Sequence, residues 1–138
     1  MGGSTEAMRA ADVNCDGTTD LVVPVAGGEL LILHGVPGIG LTEPQSVDAD
    51  SGTNAVEFND FDKDGRLDMA VSYFHGEIGI IRDVCNNDWT VPEPRVPTVE
   101  TTESMASPDF NLDGWPDLLV GTWFSPQIAV HLNKAGQP

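Results

Sequence analysis

The chain carries three copies of one acidic motif, and their spacing constrains the fold more than any other feature. The copies read DVNCDGTTD from residue 12, DFDKDGRLD from residue 60 and DFNLDGWPD from residue 109. Each is followed by a short apolar run, and successive copies begin roughly 48 residues apart. A fixed period of this length indicates a repeat architecture, in which each unit is one supersecondary element.

Each repeat is predicted to contain short β-strands and no helix. The segments around the motif are 5–8 residues long, rich in Val, Ile and Leu, and bounded by Gly, Pro, Asn and Asp. No window shows apolar residues at the i, i+3, i+4, i+7 spacing of a helix. The first repeat is expected to place strands within 7–12, 20–25, 29–35 and 42–49. Such a four-stranded unit, repeated in tandem, is typical of a β-propeller blade.

The predicted fold is therefore all-β, with three tandem four-stranded antiparallel propeller blades at 5–52, 53–102 and 103–138. Residues 1–4 are expected to be an expression remnant or disordered. The third blade ends where its fourth strand would begin. Propellers close with about four to eight blades, so this partial propeller is expected to be completed by self-association or by the remainder of a larger propeller. Two chains would make a six-bladed ring, and head-to-tail stacking would make a longer assembly.

The charge of the chain excludes several partners. It has 22 acidic and 6 basic residues, with an isoelectric point near 4.1. A strongly negative surface repels nucleic acid and anionic membranes, and no apolar run approaches the ~20 residues that cross a bilayer. We therefore expect no nucleic-acid binding and no membrane insertion, whereas bound cations would suit this charge. No secretory signal is visible.

The acidic motif offers oxygen ligands at alternate positions. Aligned, the copies read D-x-[ND]-x-D-G-x-x-D, with side-chain oxygens at positions 1, 3, 5 and 9, a variable position 7 that would use its backbone carbonyl, and Gly at position 6 for the sharp bend. Hard oxygen ligands on a flexible loop suit Ca²⁺ better than Mg²⁺, which demands a tighter octahedron. The predicted ligands are Asp12, Asn14, Asp16, Thr18 and Asp20; Asp60, Asp62, Asp64, Arg66 and Asp68; and Asp109, Asn111, Asp113, Trp115 and Asp117. The second loop has four carboxylates, which predicts the tightest binding there.

Two other readings of the motif are weaker. An EF-hand shares positions 1, 3, 5 and 6 but needs a bidentate Glu at position 12 and flanking helices. Position 12 is Val23, Val71 or Val120 here, and strand-like segments follow; a dockerin module fails for the same lack of helices. Solvated Asp/Gly turns without an ion are the other alternative, disfavoured because clustered carboxylates repel one another without a cation.

The segments DVNCDGTTDLVV, DFDKDGRLDMAV and DFNLDGWPDLLV resemble FG-GAP/VCBS repeats, which occur in integrin α-subunit propellers and fungal propeller lectins. The resemblance spans residues 5–133. It implies one Ca²⁺ in the loop between the first two strands of each blade, with the position-9 aspartate as the closing, bidentate ligand, and an extracellular or cell-surface location. The expected function is a non-catalytic calcium-binding module for extracellular recognition or self-assembly, with a glycan or an extracellular protein as possible partner.

A carbohydrate-binding lectin is the first alternative function. The turn between the second and third strands carries Tyr73, Phe74 and His75 in the second repeat, and Trp123 and Phe124 in the third. Exposed aromatic rings there would stack on a sugar; the other reading is that they pack between neighbouring blades. A fragment of a secreted polysaccharide-active enzyme is the second alternative, although no known catalytic motif is present.

Two cysteines are too few for a disulfide framework. Cys15 lies in the first acidic loop and Cys85 follows the third strand of the second repeat. In a four-stranded meander these connections share one face, so a bridge between adjacent repeats is the alternative to two free thiols, which are the expectation. His34 and His131 are predicted to occupy equivalent places in their third strands and to be structural.

Overall fold

The computed structural model describes residues 8–49, 52–90, 95–99, 102–123 and 125–135. A short 3₁₀ turn at Val84–Asn86 follows the ninth strand. The strands are β1 (Arg9–Ala11), β2 (Asp20–Val25), β3 (Glu29–Leu33), β4 (Gly35–Val36), β5 (Gly40–Leu41), β6 (Gln45–Asp48), β7 (Thr53–Asn59), β8 (Asp68–Tyr73), β9 (Glu77–Ile81), β10 (Val96–Pro97), β11 (Thr102–Ala106), β12 (Leu118–Thr122) and β13 (Ile128–His131).

Eleven of the strands in the described residues form three antiparallel sheets, one for each repeat, and β4 pairs with β5 in a separate two-stranded sheet. Sheet I has the order β1-β2-β3-β6, sheet II the order β7-β8-β9-β10 and sheet III the order β11-β12-β13. The prediction of an all-β chain with antiparallel sheets is confirmed. Within the described residues, sheet III has three strands and the sheets do not close on one another. Strand β11 begins at Thr102, one residue before the range assigned to the third repeat.

The sheets pack face to face through two apolar layers. The alternation of side chains across a strand gives each sheet two faces. One face of sheet I packs against one face of sheet II, and the other face of sheet II packs against sheet III. Since sheet II is covered on both faces, every residue of β8 is buried. That burial explains why apolar and polar residues do not alternate strictly along the DMAVSY segment.

The residues of the two layers come from matching places in the repeats. The first layer includes Val13, Val22, Leu30 and Ile32 of sheet I with Met69, Val71 and Ile81 of sheet II. The second layer includes Phe61, Ala70 and Ile78 of sheet II with Met105, Leu118 and Val120 of sheet III.

The first strands of the three sheets meet on one side of the molecule. Arg9 of β1 forms an ion pair with Glu57 of β7 at 2.8 Å and donates a hydrogen bond to the Met105 carbonyl of β11, also at 2.8 Å. The Ser107 hydroxyl donates to the second oxygen of Glu57. A single guanidinium thus links all three sheets at this edge.

The β4–β5 hairpin has no counterpart in the predicted strands, because its PGIG turn reads as a Gly/Pro-rich connection. It pairs Gly35 with Leu41 and Val36 with Gly40. None of the helical structure in the described ranges is long and apolar enough to cross a membrane.

Candidate metal centres

The three acidic loops share one backbone conformation. Position 4 is left-handed in each, with φ of 57°, 58° and 60° at Cys15, Lys63 and Leu112. The position-6 glycines have φ of 86°, 87° and 88°, a conformation that only glycine adopts without strain. Each loop joins the first strand of its sheet to the second. The repeated motif therefore specifies one local structure three times.

Positions 1, 3 and 5 direct their side-chain oxygens at backbone N–H groups of the same loop. In the first loop, Asp12 Oδ1 accepts from Asp16 N–H at 3.1 Å, and Asp12 Oδ2 accepts from Gly17 N–H at 2.9 Å. Asn14 Oδ1 also accepts from Asp16 N–H, and Asp16 Oδ1 accepts from Thr18 N–H. The other two loops repeat all four bonds with closely similar lengths. Since a carboxylate has about four acceptor sites, these bonds leave capacity for a cation.

The position-9 aspartates are buried and tie each loop to the third strand. Asp20 is 0% exposed; its Oδ2 accepts from Val13 N–H at 2.9 Å and its Oδ1 from Gly35 N–H at 2.8 Å. Asp68 and Asp117 accept from the corresponding N–H groups of their own repeats. The predicted closing ligand thus has a structural role that the sequence does not reveal.

The acidity of the loop carboxyls differs with their surroundings. Burial raises the pKa of Asp68 above its usual value, although its two backbone N–H partners and Arg82 oppose the shift. The Thr18 hydroxyl and backbone N–H lower the pKa of Asp16, and the Trp115 backbone N–H lowers that of Asp113. Asp16 and Asp113 are therefore more easily ionised than Asp68.

The second loop brings three carboxylates together. One oxygen each of Asp60, Asp62 and Asp68 lies within 4.8 Å of the others. Calcium–oxygen distances of about 2.3–2.6 Å place two ligands of one ion up to ~5 Å apart, so this spacing fits a shared Ca²⁺. Asp64, the predicted position-5 ligand, is not among the three. In the other loops Asn14 and Asn111 stand where Asp62 stands here, so each has one carboxylate fewer.

Two arginines lie against the second loop. Arg82 Nη1 is 3.4 Å from Asp62 Oδ2 and 3.2 Å from Asp68 Oδ2. Arg66, predicted to contribute only its carbonyl, places Nη1 2.6 Å from Asp83 and Nε 3.7 Å from Asp64. Arg82 was missed in the sequence because it is remote from the motif. The positive charge of Arg82 offsets the extra carboxylate of the second loop. The prediction that this loop binds Ca²⁺ most tightly rested on that carboxylate.

The hydrogen bonds to the position-9 aspartates show which residues are equivalent to Arg82. The N–H groups of Gly35, Asp83 and Asn133 bond to the three position-9 aspartates, so the residues before them, His34, Arg82 and Leu132, are equivalent.

The predicted equivalence of His34 and His131 is therefore wrong by one residue, which places the two rings on opposite faces of their strands. His34 Nδ1 lies 3.4 Å from Asp20 Oδ1 and 3.3 Å from Asn14 Nδ2. His131 Nε2 lies 2.8 Å from the Thr98 hydroxyl, and burial lowers its pKa.

Cys15 and Cys85 form a disulfide with Cα atoms 5.6 Å apart. The expectation of free thiols is wrong, because sheet packing brings the first loop against the 3₁₀ turn of sheet II. Position 4 of the second loop also reaches the next repeat: Lys63 Nζ lies 4.8 Å from the ring centroid of Trp115. In the third loop the position-4 residue Leu112 is 86% exposed.

The aromatic turn residues divide into buried and exposed. Tyr73 is 1% exposed, its hydroxyl donates to the Ala49 carbonyl, and Arg95 lies 4.0 Å from its ring centroid. Tyr73 ends β8 and is not available to a surface ligand, so its assignment to an exposed turn is wrong. Phe74 and Trp123, at equivalent positions, are 41% and 65% exposed, and His75 is exposed. Phe124 lies outside the described residues.

Searches with this chain found no matching protein-family model and no matching curated protein.

Proposed function

We propose that the chain is a non-catalytic calcium-binding repeat module of the β-propeller type, in which each acidic loop holds one Ca²⁺. The observation that supports this most is the threefold repetition of one loop conformation, with oxygens at positions 1, 3, 5 and 9. Simple Asp/Gly turns do not need four oxygen-bearing side chains in a constant order. The module would serve extracellular recognition or self-assembly.

The chain's own groups supply the ligands and the link to the fold. Side-chain oxygens at positions 1, 3 and 5, the carbonyl at position 7 and the position-9 carboxylate would hold the ion. The bound ion supplies positive charge that relieves repulsion among the carboxylates. Because each position-9 aspartate also accepts an N–H from the end of the third strand, ordering of the loop favours assembly of the whole sheet. Ion binding is thereby coupled to folding.

An extracellular location is part of the proposal. The Cys15–Cys85 disulfide supports it, because disulfides persist in oxidising compartments and are rare in the cytosol.

The test is calcium titration of metal-free protein by calorimetry, with thermal unfolding followed in parallel. We expect three sites per chain, a higher melting temperature with Ca²⁺, and weaker binding of Mg²⁺. Asp109→Ala should remove one site. Asp88→Ala is the matched control, since Asp88 also accepts a backbone N–H from two residues ahead but lies outside the loops. The proposal would be refuted if no heat of binding were measured and the melting temperature were the same in calcium and in chelator.

Glycan binding is a second candidate function, favoured by the exposure of Phe74 and Trp123 at equivalent turns. Exposed aromatic side chains suit stacking on sugar rings. Calcium-loaded protein on a glycan array should then retain a ligand class, and Trp123→Ala should weaken retention while Trp115→Ala should not. Failure to retain any glycan would dismiss this candidate and leave the calcium proposal standing.

A further inference from the structure

A cleft with two lobes lies between strand β6 of sheet I and the 87–90 segment of the second repeat. The first lobe has a volume of about 380 Å³ and the second a volume of about 530 Å³. Both lobes are lined by Val47, Asn87 and Trp89. Trp89 is 8% exposed, and its indole N–H forms no hydrogen bond within the described residues. Since the N–H of a largely buried indole usually has a partner, this donor indicates a place for a bound acceptor.

The two lobes follow one another along β6. Gln45 lines the first lobe, Ala49 lines the second, and Val47 between them lines both. Gln45 and Val47 are two residues apart, so their side chains lie on the same face of sheet I. Val47 packs against the apolar layer between sheets I and II, which places the cleft on that face. The lobes are therefore spaced like alternate side chains of an extended peptide.

Strand β6 is the edge strand of sheet I, because β3 is its only partner strand within the described residues. Ala49 donates its N–H to the Gly28 carbonyl of the first repeat at 3.0 Å. Backbone groups of an antiparallel strand point to alternate sides, so Val47 and Gln45 also direct theirs towards β3. The exposed Ser46, between them, directs its N–H and C=O away from the sheet. These two groups can pair with one residue of an added strand.

The two lobes differ in charge. Asp48 and Asp88 line the second lobe together with Arg95, so carboxylates outnumber cations there. Asn14 and His34 line the first lobe, which offers an amide and an imidazole. The whole chain has 22 acidic and 6 basic residues, and such a negative field attracts cationic ligands. The second lobe therefore suits a basic side chain, and the first suits a neutral polar one.

We infer that β6 and the cleft bind an extended, basic peptide segment of another protein, which adds one strand to sheet I. The peptide residue opposite Ser46 pairs with its backbone, and the residues on either side place their side chains in the two lobes. Sheet I is antiparallel throughout, so the added strand runs against β6. Its basic residue then lies opposite Val47 and its neutral polar residue opposite Gln45.

A peptide is favoured over a glycan because a peptide backbone has the N–H and C=O pair that matches Ser46. In this mode of recognition, main-chain bonds supply affinity and pockets for alternate side chains supply specificity. The inference rests on the recognition part of the proposed function and names the class of its partner. It does not depend on calcium binding.

The first experiment exposes calcium-loaded protein to an array of capped heptapeptides. Their sequence is Thr-Val-X-Thr-Z-Val-Thr, with X and Z varied over the natural side chains. Peptides with Lys or Arg at X and a neutral polar residue at Z should be retained best. For the peptide with Lys at X and Gln at Z, fluorescence anisotropy measures affinity. N-methylation of the central Thr, or placing Lys and Gln next to each other, should weaken binding about tenfold.

Variants of the chain test the strand edge and the second lobe separately. Ser46→Pro should weaken binding about tenfold, because it removes the outward N–H at a position where an edge strand tolerates Pro. Ser46→Ala is the matched control and should bind like wild type, since Ser46 lines neither lobe. Asp88→Asn should weaken binding about threefold, the size expected of an exposed ion pair. Glu103→Gln removes the same charge from an exposed position in sheet III and should have no effect.

Three results would overturn the inference. These are retention of no peptide on the array, equal affinity of the parent and N-methylated peptides, and equal affinity of the alternating and adjacent arrangements. The N-methylated peptide leaves the protein unchanged, so it remains decisive if Ser46→Pro does not fold. Retention of a glycan that Trp89→Phe abolishes, without any peptide binding, would make the cleft a sugar site and the inference wrong. Calcium stoichiometry, measured on the same samples, separates these failures from a failure of the calcium proposal.

Discussion

The first and second acidic loops have the same backbone conformation and the same four hydrogen bonds from backbone N–H groups, but different neighbours. The first loop is bridged at position 4 to the 3₁₀ turn of sheet II by the Cys15–Cys85 disulfide. The second has Lys63 at position 4, over the Trp115 ring, and holds Arg82 against two of its carboxylates. The same loop conformation is therefore held by a covalent bond in one repeat and by electrostatic contacts in the next.

If the loops bind Ca²⁺ as proposed, this contrast predicts that ligand count alone does not set their relative affinity. The second loop has the most carboxylates, but an ion entering it has to compete with a guanidinium that belongs to the chain. Carboxylates that are already paired with a guanidinium bind a cation less strongly than the same carboxylates without that partner. The third loop, with Leu132 at the equivalent position, has no such competitor at that place.

The largest expected effect comes from removing the disulfide. Replacing Cys15 and Cys85 by serine should lower the free energy of unfolding by about 4 kcal/mol, because the bridge closes a separation of 70 residues in the unfolded chain. Lys63→Ala, at the same loop position, should cost less than about 1 kcal/mol. Urea unfolding of metal-free proteins measures both. Equal losses would show that the two position-4 contacts do not differ as the structure indicates.

A smaller effect is expected at the position-9 aspartates. Asp117→Ala leaves the N–H groups of Phe110 and Asn133 without their acceptor and should cost about 2–3 kcal/mol in metal-free protein. Asp68→Ala should cost more, because Arg82 also loses a partner. The exposed Asp88→Ala should change stability little. Equal free energies of unfolding in urea for Asp117→Ala and Asp88→Ala would contradict this expectation.

We expect Arg82 to weaken calcium binding in the second loop, and the third loop has Leu132 in its place. Exchanging the two residue types should therefore exchange the effect. Arg82→Leu should tighten calcium binding in the second loop about fivefold, and Leu132→Arg should weaken it in the third by a similar factor, the size expected of a partly exposed ion pair. The amide resonances of Gly65 and Gly114 report the two loops separately. Arg66→Thr, which copies the first loop, is the control and should have a smaller effect. Unchanged affinities would show that Arg82 does not compete with Ca²⁺ for the carboxylates of the second loop.

The smallest effect is a difference in acid sensitivity. Calcium binds the ionised carboxylate, so a raised pKa lets protons compete at higher pH. Burial raises the pKa of Asp68, whereas hydrogen bonds lower those of Asp16 and Asp113. On acidification at fixed calcium, the Gly65 resonance should return to its metal-free position at a higher pH than those of Gly17 and Gly114. Simultaneous release from the three loops would contradict the prediction.

Local features of the chain were predictable because their causes lie within a few residues. The start of β2 at Asp20 and of β8 at Asp68 follows from the Asp/Gly turn and the apolar run after it. The shared loop conformation follows from the position-6 glycine and the Asp/Asn side chains that accept loop N–H groups. These signals recur in every repeat, so the same turn and strand are predicted three times.

The features that only the tertiary structure decided depend on residues that are distant in sequence. The partners Cys15 and Cys85, the approach of Arg82 to Asp62 and Asp68, and the burial of Tyr73 all require the register of one strand against another and the packing of one sheet on the next. A shift of one residue moves a side chain to the other face of its sheet, which is why His34 and His131 could not be aligned by inspection. The sequence by itself determined the three acidic loops and the strand that follows each of them. Packing decided which neighbour each loop meets, because period-2 alternation defines the two faces of a strand but not what will cover them.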